Sequence, residues 1–286
     1  DDFHHALHVA LNGEQQGYYE DFTSLAQFGK VWREGYAFTG EYSPHRRRRQ
    51  GSSPRLNPAK QFVICAQNHD QVGNRMLGDR LSATLPLEQL KLAAGCVLLS
   101  PFIPMLFMGE EYGERAPFQY FVSHSDSGLV KAVREGRAKE FAAFKWKGEV
   151  PDPQAEETFN RSKLNHQLVK QPSHQALHEF HRELIRLRKN LPAIANAEKE
   201  TMEVREDVAA QTLRVRYSHA QKEVAVWFYF GKKSKQITAA LPAGEWRVLL
   251  DSAAPRWRGP GREIAVTIHS TGQVTLPLAP HSVLLL

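Results

Sequence analysis

The chain of 286 residues is long enough for one large domain or an ordinary domain with a small companion, and its 42% hydrophobic and 24% charged shares exclude a largely disordered protein. No apolar run reaches the roughly 20 residues that a membrane helix needs; the longest, around Leu92 to Met108, is broken by Pro101 and Pro104. A formal net charge of +6 is mildly basic, and Cys65 and Cys96, both in apolar segments, read as buried free thiols in a reducing, cytoplasmic setting rather than as a disulfide framework.

Phe3, Leu7 and Leu11 recur at four-residue spacing behind Asp1 and Asp2 and ahead of Gly13, so the chain opens on a short amphipathic helix. His4 and His8 stand one turn apart on it. No Cys or carboxylate follows at ligand spacing, and no metal is expected. No strand precedes this helix, as if the sequence entered an architecture already under way. A weaker helical pattern over Gly17 to Arg33 runs through Phe22, Leu25, Ala26 and Val31. From Gly35 to Pro58 the Gly, Ser, Pro, Tyr and Arg content marks a long loop, and its place just before a strand favours function. Its run Arg46-Arg47-Arg48-Arg49 reads as a solvated face, with an anion- or sugar-binding role as the alternative. Without an aromatic platform or a recognisable motif, no nucleic-acid partner is expected.

The apolar run Phe62-Val63-Ile64-Cys65-Ala66 stops at Asn68, His69 and Asp70, with Gly73 close behind: a buried strand delivering polar side chains to its exit. Pro86 starts a helix with Leu87, Leu90, Ala94, Val97 and Leu98 on one face. Phe102 to Met108 is a second buried strand ending on Gly109, Glu110 and Glu111, so that strand, helix and strand form a βαβ unit of a parallel sheet. Tyr112 to Pro172 reads as irregular, with helical pieces between Lys131 and Phe144. Ser173 caps a helix carrying Leu177, Phe180, Leu184 and Leu187 up to Pro192, and its His178 and His181, which lack zinc-protease spacing, are expected on a solvated face.

Beyond Pro192 the hydrophobic period shortens. Thr212 to Tyr217, Val224 to Phe230, Glu245 to Leu250, Ile264 to His269 and Val283 to Leu286 are short strands with no helix between them, the pattern of a β-sandwich. The boundary falls near residues 192–202, dividing the chain into 1–195 and 196–286.

Phe62 to Asp70 resembles the fourth conserved region of the α-amylase superfamily of glycoside hydrolases, with Asn68-His69-Asp70 as its Asn-His-Asp signature. Pro104 to Glu111 resembles the eighth strand of that superfamily's barrel, and the helix Leu177 to Arg188 and the strand after Pro280-His281-Ser282 are similar to its last barrel helix and C-terminal sandwich. Longer matches at Asp1 to His5, Asn68 to Arg75 and Phe107 to Glu114 narrow the likeness to a trehalose-releasing branch and extend it over nearly the whole chain.

The resemblance implies the C-terminal part of a (β/α)8 barrel over 1–195, followed by a small antiparallel β-sandwich over 196–286. It implies hydrolysis, with retention, of the α-1,4 bond beside the terminal trehalose of malto-oligosyl trehalose, without a cofactor. Asp70 matches the carboxylate that stabilises the oxocarbenium-like transition state; His69, Asn68 and Gln71 are the matching substrate contacts. A retaining glycosidase also needs a nucleophile and an acid/base. The resemblance places both on strands upstream of Asp1, so the expected partner is the missing N-terminal part of the same enzyme, and the chain alone is expected to be inactive. Glu110 and Glu111 are read as structural, in helix capping or loop salt bridges. The alternative is a non-catalytic α-glucan-binding remnant in which Asp70, His69, Tyr112, Phe118 and Trp146 hold sugar. No membrane partner is expected.

Overall fold

The computed structural model describes residues 1–142, 150–261 and 264–286. Phe144, where the expected helix ends, and Trp146 lie outside the described residues. Val63–Ile64 and Ile103–Pro104 pair in parallel, with Val63 opposite Ile103. Met105 N extends the ladder by donating to Ile64 O at 2.8 Å. The helix Leu87–Leu98 lies between them in sequence, so the βαβ unit is present. Its strands are shorter and less buried than expected: Val63 and Ile103 are 59% and 45% exposed, because a two-stranded sheet has no neighbour across that face. Phe62, Ile64 and Phe102, on the other side, are buried in the core.

The opening helix is Asp2–Asn12, closed by Gly13 in the left-handed region (φ 77°), where a side chain would be strained. The pattern over Gly17 to Arg33 resolves into a short turn of 3-10 helix at Gly17–Asp21 and a helix at Leu25–Glu34. Ser24 separates them, its Oγ accepting from Gln27 N at 3.3 Å. Within the segment expected to be irregular, Ser127–Ala142 is a helix that starts four residues before the expected one. The long helix near the boundary is Pro172–Asn190; Gln171 holds the cap position and Pro172 the first turn, so Ser173 is not the cap. His181 is buried rather than solvated, its Nδ1 2.9 Å from Leu177 O. No described helix is long and apolar enough to cross a membrane.

Five antiparallel strands follow in the spatial order Met202–Asp207, Thr212–His219, Lys222–Tyr229, Ser282–Leu285, Leu250–Asp251. An antiparallel pair of Lys235–Arg247 with Thr267–Leu278, shifted in register between Ser270 and Gly272, forms a second sheet; Leu250–Asp251 of the first sheet lies between its strands in the chain. One face of the first sheet, through Ala225, Trp227 and Tyr229, shares a core with Ile237, Leu241, Leu276 and Leu278 of the second sheet. Its other face, through Val215, Tyr217, Val226 and Phe228, joins the helices in one cluster. Burial on both faces explains why Val224 to Phe230 is a continuous apolar run and not an alternating one.

The helical and β regions are joined by specific contacts. Trp32 and Phe228 rings lie 5.2 Å apart, and Phe28 meets Phe230 edge-on at 5.9 Å. Tyr217 Oη donates to Leu99 O at 2.7 Å, and Arg33 grips Glu206 through two bonds of 2.7 and 3.0 Å. Lys91, fully buried, donates to Ser252 O at 2.7 Å and Trp257 O at 3.1 Å and pairs with Glu88 at 2.9 Å.

Candidate functional site

The chain leaves the Val63–Ile64 strand through Gln67 and turns at once into the short helix His69–Gly73. Asn68 makes that turn possible. Its Oδ1 accepts from Asp70 N at 2.8 Å and Gln71 N at 3.3 Å, and its Nδ2 lies 3.6 Å from Cys65 Sγ. Asp70 therefore stands in the first turn of a capped helix, one step beyond the strand exit expected from sequence. Its side chain is 65% exposed and lies 3.3 Å from the His69 ring, which is 69% exposed. Gln71 turns the other way, buried, with Nε2 donating to Asp1 Oδ1 at 2.9 Å.

Asp70, Gln71 and Asn74 form one wall of an open cleft of about 460 Å³, and Asp1, His5, Tyr18, His45 and Arg46 form the rest. The far wall is delivered by the loop expected to be functional. Tyr42–Ser43 pairs with Arg48–Arg49 in a small hairpin, and Asp21 anchors its tip, accepting from Ser43 Oγ at 2.5 Å and His45 N at 3.0 Å. Arg46 is thus the arginine of its run that reaches the cleft, whereas Arg49 turns back to Gly40 O at 2.9 Å.

Tyr18 and His5 meet ring to ring at 4.8 Å at the base of the cleft. Burial, the largest cause, holds the His5 imidazole well below its ordinary value, and His8 lowers it further. His4 and His8 lie beneath it, both lowered chiefly by burial. His4 Nδ1 contacts Ala66 O at 2.5 Å and His8 stacks on Tyr19 at 4.4 Å, so the pair packs the opening helix against the strand exit. Among the described residues, no group of three or more His, Cys, Asp or Glu could hold a metal ion.

Carboxylates, imidazoles, an aromatic ring and a guanidinium around an open cleft suit a polyhydroxylated neutral ligand. Each polar group can exchange hydrogen bonds with hydroxyls, and the ring offers an apolar face. Of the sequence candidates, His69 and Asp70 are exposed, Gln71 lines the cleft wall, and Asn68 supports the turn. Tyr112 and Phe118 lie elsewhere: Tyr112 is buried with its Oη on Glu114 Oε2 at 3.0 Å, and Phe118 packs against Phe107 at 5.4 Å. Asp1, His5, Tyr18, His45 and Asn74 were not singled out as site residues from sequence. Asp1, His5 and Asn74 fall within the matched stretches Asp1 to His5 and Asn68 to Arg75, and His45 lies in the long loop ahead of the strand, but none of these signals reveals that Asp21 anchors the loop.

No protein-family model matches the chain. It is 49% identical over 220 residues to the malto-oligosyltrehalose trehalohydrolase of Brevibacterium helvolum, a match covering 76% of this chain and 37% of that protein. It is 44% identical over 196 residues to the enzyme of the same name from Saccharolobus solfataricus, covering 68% of this chain and 33% of that one. The chain therefore spans about a third of the length of these curated relatives. Among solved structures, a protein of Salmonella typhimurium provisionally named an alpha amylase matches with a TM-score of 0.81 at 36% identity, over 100% of this chain and 45% of that chain. An alpha-amylase from H. orenii matches at a TM-score of 0.53 and 14% identity, over 99% of this chain and 46% of that chain, a likeness of fold alone.

Proposed function

We propose, from the premise that this chain belongs to the α-amylase family of glycoside hydrolases, that it forms the C-terminal part of a trehalose-releasing enzyme. The substrate is malto-oligosyl trehalose, cut at the α-1,4 bond next to the terminal trehalose. The observation that carries the reading is the exposed Asp70 carboxylate in a cleft lined by Tyr18, His5, His45 and Arg46. The curated relatives, 37–50% identical and all named malto-oligosyltrehalose trehalohydrolase, supply the reaction.

In this reading Asp70 stabilises positive charge developing on the sugar ring, which a fixed carboxylate does best where water is displaced. His69 beside it bonds the same ring, Gln71 forms the wall behind, and Asn68 holds the turn. Arg46 and Tyr18 bind the glucan from the facing side. A retaining displacement also needs two carboxyl groups about 5–5.5 Å apart, one as nucleophile and one as acid then base. We place both on the part of the enzyme outside this chain, with residues 1–195 completing its barrel and residues 196–286 forming its β-sandwich, so the chain alone is inactive. The exposed pair Val63 and Ile103, with Met105 (38%) and Met108 (45%), is the surface that part would cover. The free buried thiols suit a reducing compartment.

The test is the complete enzyme incubated with malto-oligosyl trehalose and, separately, with a linear malto-oligosaccharide. Free trehalose from the first, with slower cleavage of the second, is expected. No trehalose from the first would refute the reading. Glucan binding without cleavage would favour the alternative, a non-catalytic glucan-binding remnant.

A further inference from the structure

We propose that one ordered water molecule binds in the small cavity behind the Asp70 turn, bridging Arg80, His8 and Gln71 and so tying the opening helix, the turn and the second strand's exit together. The inference stands on the cavity and the atoms around it and does not depend on the glycosidase reading. His8, Gln71 and Arg80 line a cavity of about 10 Å³, together with Tyr19 and Leu81. The three residues are 4%, 7% and 1% exposed. Each carries one buried polar atom with no hydrogen-bond partner among the described residues: His8 Nδ1, Gln71 Oε1 and Arg80 Nη2. Buried polar atoms are seldom left unpaired, and three of them on residues around one cavity require a common partner. A cavity of this size has room for about one water.

The remaining bonds of the three side chains select the occupant. Arg80 donates through Nε to Ala116 O and through Nη1 to Met108 O, both at 2.7 Å, which leaves Nη2 as a donor. Gln71 Nε2 donates to Asp1 Oδ1 at 2.9 Å; that bond fixes the amide and leaves Oε1 as an acceptor. His8 Nε2 lies 2.8 Å from both Glu14 Oε2 and Asn12 Nδ2. The carboxylate can only accept, so the ring proton sits on Nε2 and Nδ1 is an acceptor. Burial, the largest cause, lowers the His8 imidazole and keeps it singly protonated at pH 7. A water meets one donor and two acceptors with three bonds, accepting from Arg80 and donating to His8 and Gln71. A halide would face two lone pairs, and a metal ion would face the guanidinium. Asp79, which also lines the cavity, adds a carboxylate that disfavours an anion further. Gln71 directly follows Asp70, and its amide is then held at both ends, by Asp1 and by the water, with no free end to offer a sugar.

The test is a high-resolution crystal structure of the complete enzyme, native and soaked in sodium bromide, beside the variant His8→Phe. Phenylalanine keeps a ring against Tyr19, whose own ring lies 4.4 Å from that of His8, and removes the Nδ1 acceptor. The native crystal should show one fully occupied water within about 3.2 Å of His8 Nδ1, Gln71 Oε1 and Arg80 Nη2, and the bromide crystal no anomalous signal there. In His8→Phe the water should lose about half its occupancy or more, or shift toward the two remaining partners. An anomalous bromide peak in the cavity would overturn the assignment in favour of an anion site. A cavity without density would overturn it too, as would a water unmoved and fully occupied in His8→Phe. If the variant does not fold, the native and bromide structures decide.

Discussion

Asp70→Asn in the complete enzyme separates chemistry from folding because Asp70 supports its own turn through the backbone. Its N–H, not its carboxylate, bonds Asn68 Oδ1 at 2.8 Å, and an asparagine keeps that bond. The carboxylate is 65% exposed, and its neighbour His69, 3.3 Å away, is 69% exposed. An exposed pair of this kind is worth about 0–1 kcal/mol, so the urea midpoint should barely move. Transition-state stabilisation is a different matter. Removing one preorganised electrostatic group costs about 2.7–4 kcal/mol, or about 10²–10³ in kcat. The assay is trehalose release from malto-oligosyl trehalose, with kcat and KM measured beside the urea curve. A large fall in kcat with stability intact is the expected result. Near-normal turnover would refute the role given to Asp70, and a loss of stability matching the loss of activity would refute the reasoning that the turn does not need the carboxylate.

Lys91→Met should destabilise the chain by about 3 kcal/mol, because it removes a buried ammonium and leaves Ser252 O, Trp257 O and Glu88 without their donor. A shift in denaturation free energy below about 0.5 kcal/mol would show that the link between helix and sheet is dispensable. Gly51→Ala should cost about 1 kcal/mol or more, since φ is 76° and an added Cβ would come within 2.1 Å of Phe38 O; an unchanged melting temperature would contradict the geometry. His181, held down to about 4 by burial, takes up a proton in the unfolded chain below about pH 6.5 and in the folded chain only near pH 4. Its contribution is therefore full above about pH 6.5 and declines as the pH falls. Between pH 7 and pH 5 the wild type should lose about 2 kcal/mol more than a His181→Asn variant, and equal losses would show that the imidazole is not buried as described.

One wall of the candidate cleft was legible in the sequence for a local reason: an apolar run that ends on Asn68, His69 and Asp70 must hand polar groups to its exit, whatever surrounds it. The helix between the strands was legible from its Leu87, Leu90 and Ala94 face. The cleft's second wall was not, because Asp21 reaches across 22 residues to Ser43 and no periodicity records that bond. His181 was misplaced although the signal existed: it lies four residues after Leu177 and three before Leu184, on the buried stripe. Of the strand Lys235–Arg247 only the end, within the expected Glu245 to Leu250, was legible, because Pro242 and Gly244 interrupt its alternation; pairing with Thr267–Leu278 supplies what the local pattern lacks. The continuous core from Phe28 and Trp32 to Phe228 and Phe230 is likewise a tertiary fact, invisible to a reading that sorts helices from strands along the chain.

The most direct measurement is a structure of the complete enzyme, inactivated by Asp70→Asn, with malto-oligosyl trehalose bound. The account predicts a glucose ring in the cleft between Arg46 and the position-70 side chain, with sugar hydroxyls in hydrogen-bond reach of that side chain and His69. A glucan seated elsewhere, with this cleft filled by water, would contradict it.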